Sequence, residues 1–269
     1  MSYLIKAIRL NMKKELILFG FTLLAACGVQ SCSSSATKPQ APVVAAEEEN
    51  ADPSRILVFS KTSGFYHESI PDGIAAIQKL GNENNVVVDT TKNAAYFNPD
   101  SLRNYDAVVF LSTTQDVLNA QQEEAFMKYI QSGGGYAGIH AAADTEYDWP
   151  WYNKLVGAYF LSHPKQQKAT VRVNNKSHAS TSHLPDNWEI FDELYNYKNI
   201  NPDVNVLATL DESTYQGGEN GENHPIIWYH EFDGGRAFYT GLGHTKESYS
   251  NPVFLQHMWG GINYAMGQK

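Results

Sequence analysis

The sequence predicts an α/β domain whose central sheet is mostly parallel and covered by helices on both faces. Three observations carry that expectation. Short runs of strand-forming apolar residues recur after Asp52, and segments of helical periodicity separate the early ones. Those runs also lack the polar–apolar alternation of a strand with one wet face.

Residues 55–60 (Arg-Ile-Leu-Val-Phe-Ser) read as the first strand. After a loop holding Gly64 and His67, residues 71–80 read as a helix. Pro71 is tolerated in its first turn, and Ile74, Ile77 and Leu80 recur at helical spacing. Residues 86–88 and 107–111 are the second and third strands, the latter running into Ser112, Thr113 and Thr114. Asn119 has the chemistry of a helix cap. Phe126, Tyr129 and Ile130 form the inner face behind it, and Gly133-Gly134-Gly135 ends the helix. A fourth strand, 136–139, leads directly into His140 and a turn of small residues. The second half is less regular: 169–173, 206–210, 226–230 and 236–240 are strand candidates, with Asp233-Gly234-Gly235 turning between the last two. Residues 252–266 read as a closing helix with Phe254, Met258, Ile262 and Met266 on its core stripe.

The N-terminus carries a different signal. Lys6, Arg9, Lys13 and Lys14 precede an apolar run, 16–26, that is shorter than the roughly 20 residues a bilayer requires. This is the pattern of a signal peptide, and its end, Leu24-Ala25-Ala26-Cys27, resembles a lipobox. The expectation is a signal peptide over 1–26, an acylated Cys27 and a flexible tether over 27–53, and a folded domain over 54–269. The protein would then be exported and held on a membrane by its lipid alone, facing the periplasm or the cell surface. A plain secretory peptide with an incidental cysteine is the alternative. Cys27 and Cys32 are the only two cysteines, so the domain has no disulfide, thiolate metal site or cysteine nucleophile. The net charge of −9 and the lack of basic clusters argue against a nucleic-acid partner.

In open parallel sheets ligands bind beyond the carboxyl ends of the strands. His67 follows the first predicted strand, His140 the fourth and His244 the last, and the loops add His163, His224 and His230. Imidazole can move protons near neutral pH or bind a divalent ion through a neutral nitrogen. No HExxH helix or CxxC pair is present, so any metal must draw its ligands from distant positions.

The stretch from Gly133 to Asp144 resembles a nucleophile elbow, in which small neighbours permit a strained exposure of one side chain. Class I glutamine amidotransferases place Gly-Ile-Cys here; Gly138-Ile139-His140 puts histidine where the thiol belongs and excludes thiolate acyl transfer. Further motifs follow in order: Gly64-Phe65-Tyr66-His67, the run from Asp192 to Tyr197, His224-Pro225, and Gly234 through Gly241-Leu242-Gly243-His244. Together they resemble the trehalose-utilisation (ThuA-like) family across the whole domain after the tether. The resemblance implies a flavodoxin-like, class I amidotransferase-like α/β/α sandwich of three layers without the cysteine. It also implies a link to disaccharide or oxidised-sugar catabolism.

By that resemblance His67, His140, His163, Glu193, His224 and His244 match the family's polar positions. His140, Glu193, His67 and Asp144 are the expected catalytic residues. Asp144 would orient His140 or serve only as a helix-start charge, and Glu193 would act as acid, base or ligand, or be an ordinary exposed carboxylate. His163, His224 and His244 are the expected ligands of a divalent metal, zinc first; no nucleotide cofactor is expected. Trp149, Trp151 and Tyr147 would stack on sugar rings, with Ser112 and Thr113 as further substrate contacts, whereas Tyr195 and Tyr197 are expected to pack. The functional expectation is an exported enzyme that hydrolyses, isomerises or eliminates a disaccharide or keto-glycoside. Its rival is a non-catalytic sugar-binding lipoprotein.

Overall fold

The structure, a computed structural model, describes residues 52–268. The expected signal peptide, the lipid-bearing Cys27 and nearly all of the tether lie outside the described residues. Among those described, no helix is long and apolar enough to cross a membrane.

In chain order the elements are β1 (Arg55–Phe59), α1 (Ile70–Glu83), β2 (Val87–Thr91), α2 (Pro99–Leu102), β3 (Ala107–Leu111), α3 (Ala120–Gln131), β4 (Gly135–Ile139) and α4 (Pro150–Val156). There follow β5 (Tyr159–Ser162), β6 (Gln167–Val173), β7 (Asn187–Asp192), β8 (Asn196–Lys198), β9 (Asn205–Leu210), β10 (Pro225–Phe232), β11 (Gly235–Thr240) and α5 (Pro252–Met266). The main sheet runs β2-β1-β3-β4-β11-β10-β9-β6-β7. Its first five strands are parallel neighbours, and the other four extend it antiparallel. The parallel half has the flavodoxin-like order, with β11 as its fifth strand.

Why the first strands are parallel is visible in their burial. Ile56–Phe59 and Ala107–Leu111 are wholly enclosed, which requires cover on both faces. Successive residues of β4 identify the two covers. A Cβ on Gly135 would meet the Ala265 carbonyl of α5, while the ring of Tyr136 packs against Phe126 of α3. The Asn119 capping box fixes the start of α3, its side chain accepting from Gln121 N and Gln122 N. Asn251 does the same for α5.

The antiparallel half is where the sequence was least legible. The turn at Asp233-Gly234 takes positive φ at both residues, as a two-residue hairpin requires, and joins β10 to β11 as expected. No strand was foreseen at β7, however, and β5 and β8, which form a separate two-stranded sheet, were also missed. Everything from α4 to β10 is inserted between two neighbouring strands, β4 and β11.

Candidate metal and catalytic centre

Four strands deliver side chains to one edge of the sheet. β1 runs into the loop that holds His67, β4 into His140, and β11 into Gly241-Leu242-Gly243-His244. β7, whose direction matches β11 after four antiparallel steps, ends at Asp192 and presents Glu193. His140 takes φ +50°, a left-handed conformation that costs a non-glycine residue free energy, and aims its ring above the sheet as the elbow pattern suggested. Gly243 takes φ +110°, open in practice only to glycine, and so turns His244 back over β4.

His67, His140, Glu193 and His244 each bring one ligand-capable atom into a group whose members lie within 4.8 Å of one another. His140 Nε2 is 3.1 Å from His244 Nδ1 and 3.5 Å from Glu193 Oε2, and His244 Nδ1 is 3.1 Å from the same oxygen. Ligand atoms about 2.05 Å from a tetrahedral ion stand roughly 3.3 Å apart, so these spacings fit the edges of a zinc site. His140 Nδ1 donates to the Gly241 carbonyl at 2.9 Å, which leaves the Nε2 lone pair facing the group. His244 Nε2 meets the Gln166 side-chain amide at 2.7 Å, while its other ring nitrogen, Nδ1, faces the same centre. His67 is buried with Nδ1 unpartnered, its ring edge-on to both other imidazoles at 4.9 and 5.0 Å.

The electrostatics match that donor set. Burial, reinforced by His140 and His244, lowers His67 to about 3 and keeps it neutral. Burial alone would raise the Glu193 carboxyl; hydrogen bonding and electrostatic attraction to the neighbouring His140 and His244 outweigh it and hold the group well below the usual carboxylate range. Asp192 is fully enclosed, which raises its carboxyl, yet it accepts three backbone N–H bonds. Gly243 N at 2.8 Å, His244 N at 3.1 Å and Glu193 N at 2.9 Å all point to it. One buried carboxylate thus sets the backbone of two members of the group. Sequence reasoning quoted Asp192 only as the start of a motif; the missing signal was β7, whose end it occupies.

The remaining expected residues divide. His163 stands at the rim, its Nδ1 shared between Glu193 Oε1 at 3.2 Å and the Pro164 carbonyl at 2.9 Å, outside the four-membered group but bonded to it. His224 lies elsewhere. It is enclosed, with Nδ1 on Glu212 and Tyr215 and Nε2 on the Tyr195 carbonyl, so both nitrogens have protein partners and neither is free for an ion. Asp144 does not orient His140, whose Nδ1 is held by Gly241. Instead it accepts from Tyr147 Oη at 2.5 Å and from Gln115 at 3.2 Å, and burial raises its carboxyl. Tyr147 is therefore tied to Asp144. Trp151 stacks on Trp149 and donates to Asp233 at the β10–β11 turn, which is the opposite end of β11 from His244, so neither tryptophan faces the centre. Ser112 and Thr113 are wholly enclosed, with Thr113 Oγ1 bonded to Thr145 Oγ1 at 2.8 Å, and neither lines the cleft beside the centre. Tyr195 and Tyr197 pack as expected, Tyr195 with its ring 4.4 Å from that of His140.

A cleft of about 690 Å³ opens beside His244 and Asp192, so that one member of the group lines it. The fold has solved relatives. A ThuA-like protein from Bacteroides uniformis superposes with a TM-score of 0.70 at 22% identity, over 82% of this chain and 94% of that one. A second, from Parabacteroides merdae, gives 0.66 at 21%, over 80% and 91%. Part of a β-galactosidase from Bacillus circulans shares the fold at 0.52 and 11%, over 80% of this chain and 31% of that enzyme. No curated protein shows significant sequence similarity to the chain. The model of the ThuA family, described as trehalose utilisation, matches residues 55–265, which spans the described domain almost from end to end. The chain belongs to the ThuA (trehalose utilisation) family.

Proposed function

We propose that this protein is a metal-assisted enzyme of carbohydrate breakdown, exported and anchored through Cys27, acting on a disaccharide or keto-glycoside by hydrolysis or elimination. The observation that carries the enzyme reading is the convergence of three imidazoles and one carboxylate from four strand ends at spacings suited to one ion. His67, His140, His244 and Glu193 would hold a divalent metal, zinc by its preference for neutral imidazole. When bound, such an ion supplies a Lewis acid that polarises a substrate oxygen.

The chain's own residues supply the rest. His163 Nδ1 has two oxygen acceptors, so its proton sits there and Nε2 carries the lone pair. Its side chain is 40% exposed, and Nε2 is the atom placed to take a proton from substrate and return it. Glu193 fixes the imidazole that does so. Tyr195 covers His140 and keeps water from its ring. Membership of a trehalose-utilisation family supports a carbohydrate substrate.

Metal analysis of the purified full chain tests this, together with Glu193→Gln, which keeps shape and removes the charge. One equivalent of zinc is expected in the native chain, with at least about a hundredfold weaker retention in the variant and loss of turnover on keto-glycosides and disaccharides. A native chain that takes up no divalent ion, yet binds sugar, would make it the binding lipoprotein instead.

A further inference from the structure

The cleft beside the centre has a chemical character of its own. Its floor is apolar, formed by Trp188, Leu242 and Phe254, which are all buried. Two phenylalanines line it while largely in water, Phe65 at 66% and Phe191 at 53% exposure. Phe65 stands with its ring 4.9 Å from His67, so that wall abuts the ion-binding group.

The polar groups along the floor are already engaged within the protein. Ser69 Oγ donates to the Gly243 carbonyl, Thr245 Oγ1 pairs with Ser248 Oγ at 2.9 Å, and Asn251 caps α5. Asp192 has its three backbone donors, and the Gln166 amide is on His244. A sugar ring lying here would press its hydroxyls against Phe, Trp and Leu with few partners left, and unpaired buried hydroxyls are costly. A flat apolar group has no such difficulty and would cover two rings that now face solvent. The exposed charges at the rim, Glu68, Glu189 and Glu247 against Lys246 alone, repel an anion.

We propose that this cleft receives an uncharged, planar apolar aglycone attached to the sugar that reacts at the neighbouring centre. The assignment rests on the carbohydrate reading above for its location in a substrate, and on Phe65, Phe191 and the rim carboxylates for its chemistry. The substrates it selects are glycosides of neutral aromatic alcohols in preference to phosphorylated or acidic ones.

Binding of 2-naphthol to the full chain, followed by fluorescence, tests the cleft without requiring either turnover or the ion. Saturable binding is expected, weakened about tenfold when Phe65→Ala and Phe191→Ala are combined; both side chains are exposed, so the fold should survive. The anion 2-naphthoate should bind about tenfold more weakly than 2-naphthol, and Glu68→Gln with Glu247→Gln should narrow that gap. Absence of naphthol binding, or binding indifferent to the two phenylalanines, overturns the proposal. So does methyl glucoside binding that the double variant abolishes while naphthol binding persists, which would make the cleft a sugar subsite. A chain that binds naphthol as expected but turns over no glycoside breaks the enzyme reading and leaves the cleft assignment standing.

Discussion

Two groups of three histidines lie in this molecule, and only one of them has the spacing of an ion's ligands. His178, His183 and His257 gather between the loop after β6 and helix α5. His178 Nδ1 meets Ser180 Oγ at 2.8 Å, His257 bridges the Ser180 carbonyl at 2.9 Å and Thr240 Oγ1 at 3.0 Å, and His183 Nε2 reaches the Val253 carbonyl at 3.1 Å. Their surroundings are aromatic: Tyr229, Phe238 and Tyr264 around His178, Trp188 and Phe254 around His257. Among the described residues, only the other group brings three imidazoles and a carboxylate within mutual reach of one ion. Burial is similar in the two. What differs is where the ring nitrogens point: toward hydroxyls and peptide carbonyls in one case, toward one another and a shared carboxylate in the other.

The largest effect that separates the groups is on stability. His257→Ala leaves a void and strips partners from Ser180 and Thr240, at a cost of about 3 kcal/mol. In a domain of this size that lowers Tm by roughly 6–12 °C. Zinc affinity, measured by competition with a chelator, should stay within about twofold of the native value; a collapse of affinity would show that the groups are coupled. Asp192→Asn acts the other way. The new amide presents a donor to an N–H of Gly243 or His244, misplacing two members of the ion-binding group, and zinc affinity should fall about 10–100-fold. An unchanged affinity would reduce Asp192 to a structural tie.

Acidification should not distinguish the groups. His67 is lowered to about 3, and His178 and His257 to about 4, each by burial first. In all three cases the unfolded chain binds a proton more readily. Stability is therefore full above the unfolded value near 6.5 and declines as pH falls toward the folded values. Urea unfolding of metal-free protein should show that decline between pH 6.5 and 4.5, and a flat profile contradicts it. Glu146 opposes the trend. It is buried, accepts from the Val117 and Leu118 backbones, and is raised to about 7 by burial, so its contribution is present below pH 4.5 and lost as pH rises through 7. Glu146→Gln should accordingly stabilise by about 1 kcal/mol at pH 8 and by almost nothing at pH 4, the smallest of these effects.

The contrast also explains how much was legible beforehand. Periodicity placed β1, β4 and β11, and the rule that ligands gather past the carboxyl ends of parallel strands then singled out His67, His140 and His244. Hydrophobic pattern failed at β7. Trp188 and Ile190 alternate with Glu189 and Phe191, but an exposed phenylalanine at the sheet edge hides the alternation. With β7 went any reason to notice Asp192. Trp149 and Trp151 are expected to meet the substrate because they follow the elbow in sequence; the start of α4, which the sequence reading treats as loop, instead sends Trp151 to Asp233. His224 has the residue type of a ligand, and only its partners, Glu212 and the Tyr195 carbonyl, show that both nitrogens are engaged.

The insertion between β4 and β11 has a consequence for how the protein is made. His140 and His244 touch although 104 positions separate them along the chain. A ribosome must finish the whole insertion and β11 before the last donor emerges, and a nick anywhere in the insertion breaks the covalent link between the two. Such long-range closure is slow compared with local helix formation. Capture of an ion would therefore come late in maturation, as a mark that the finished fold has closed.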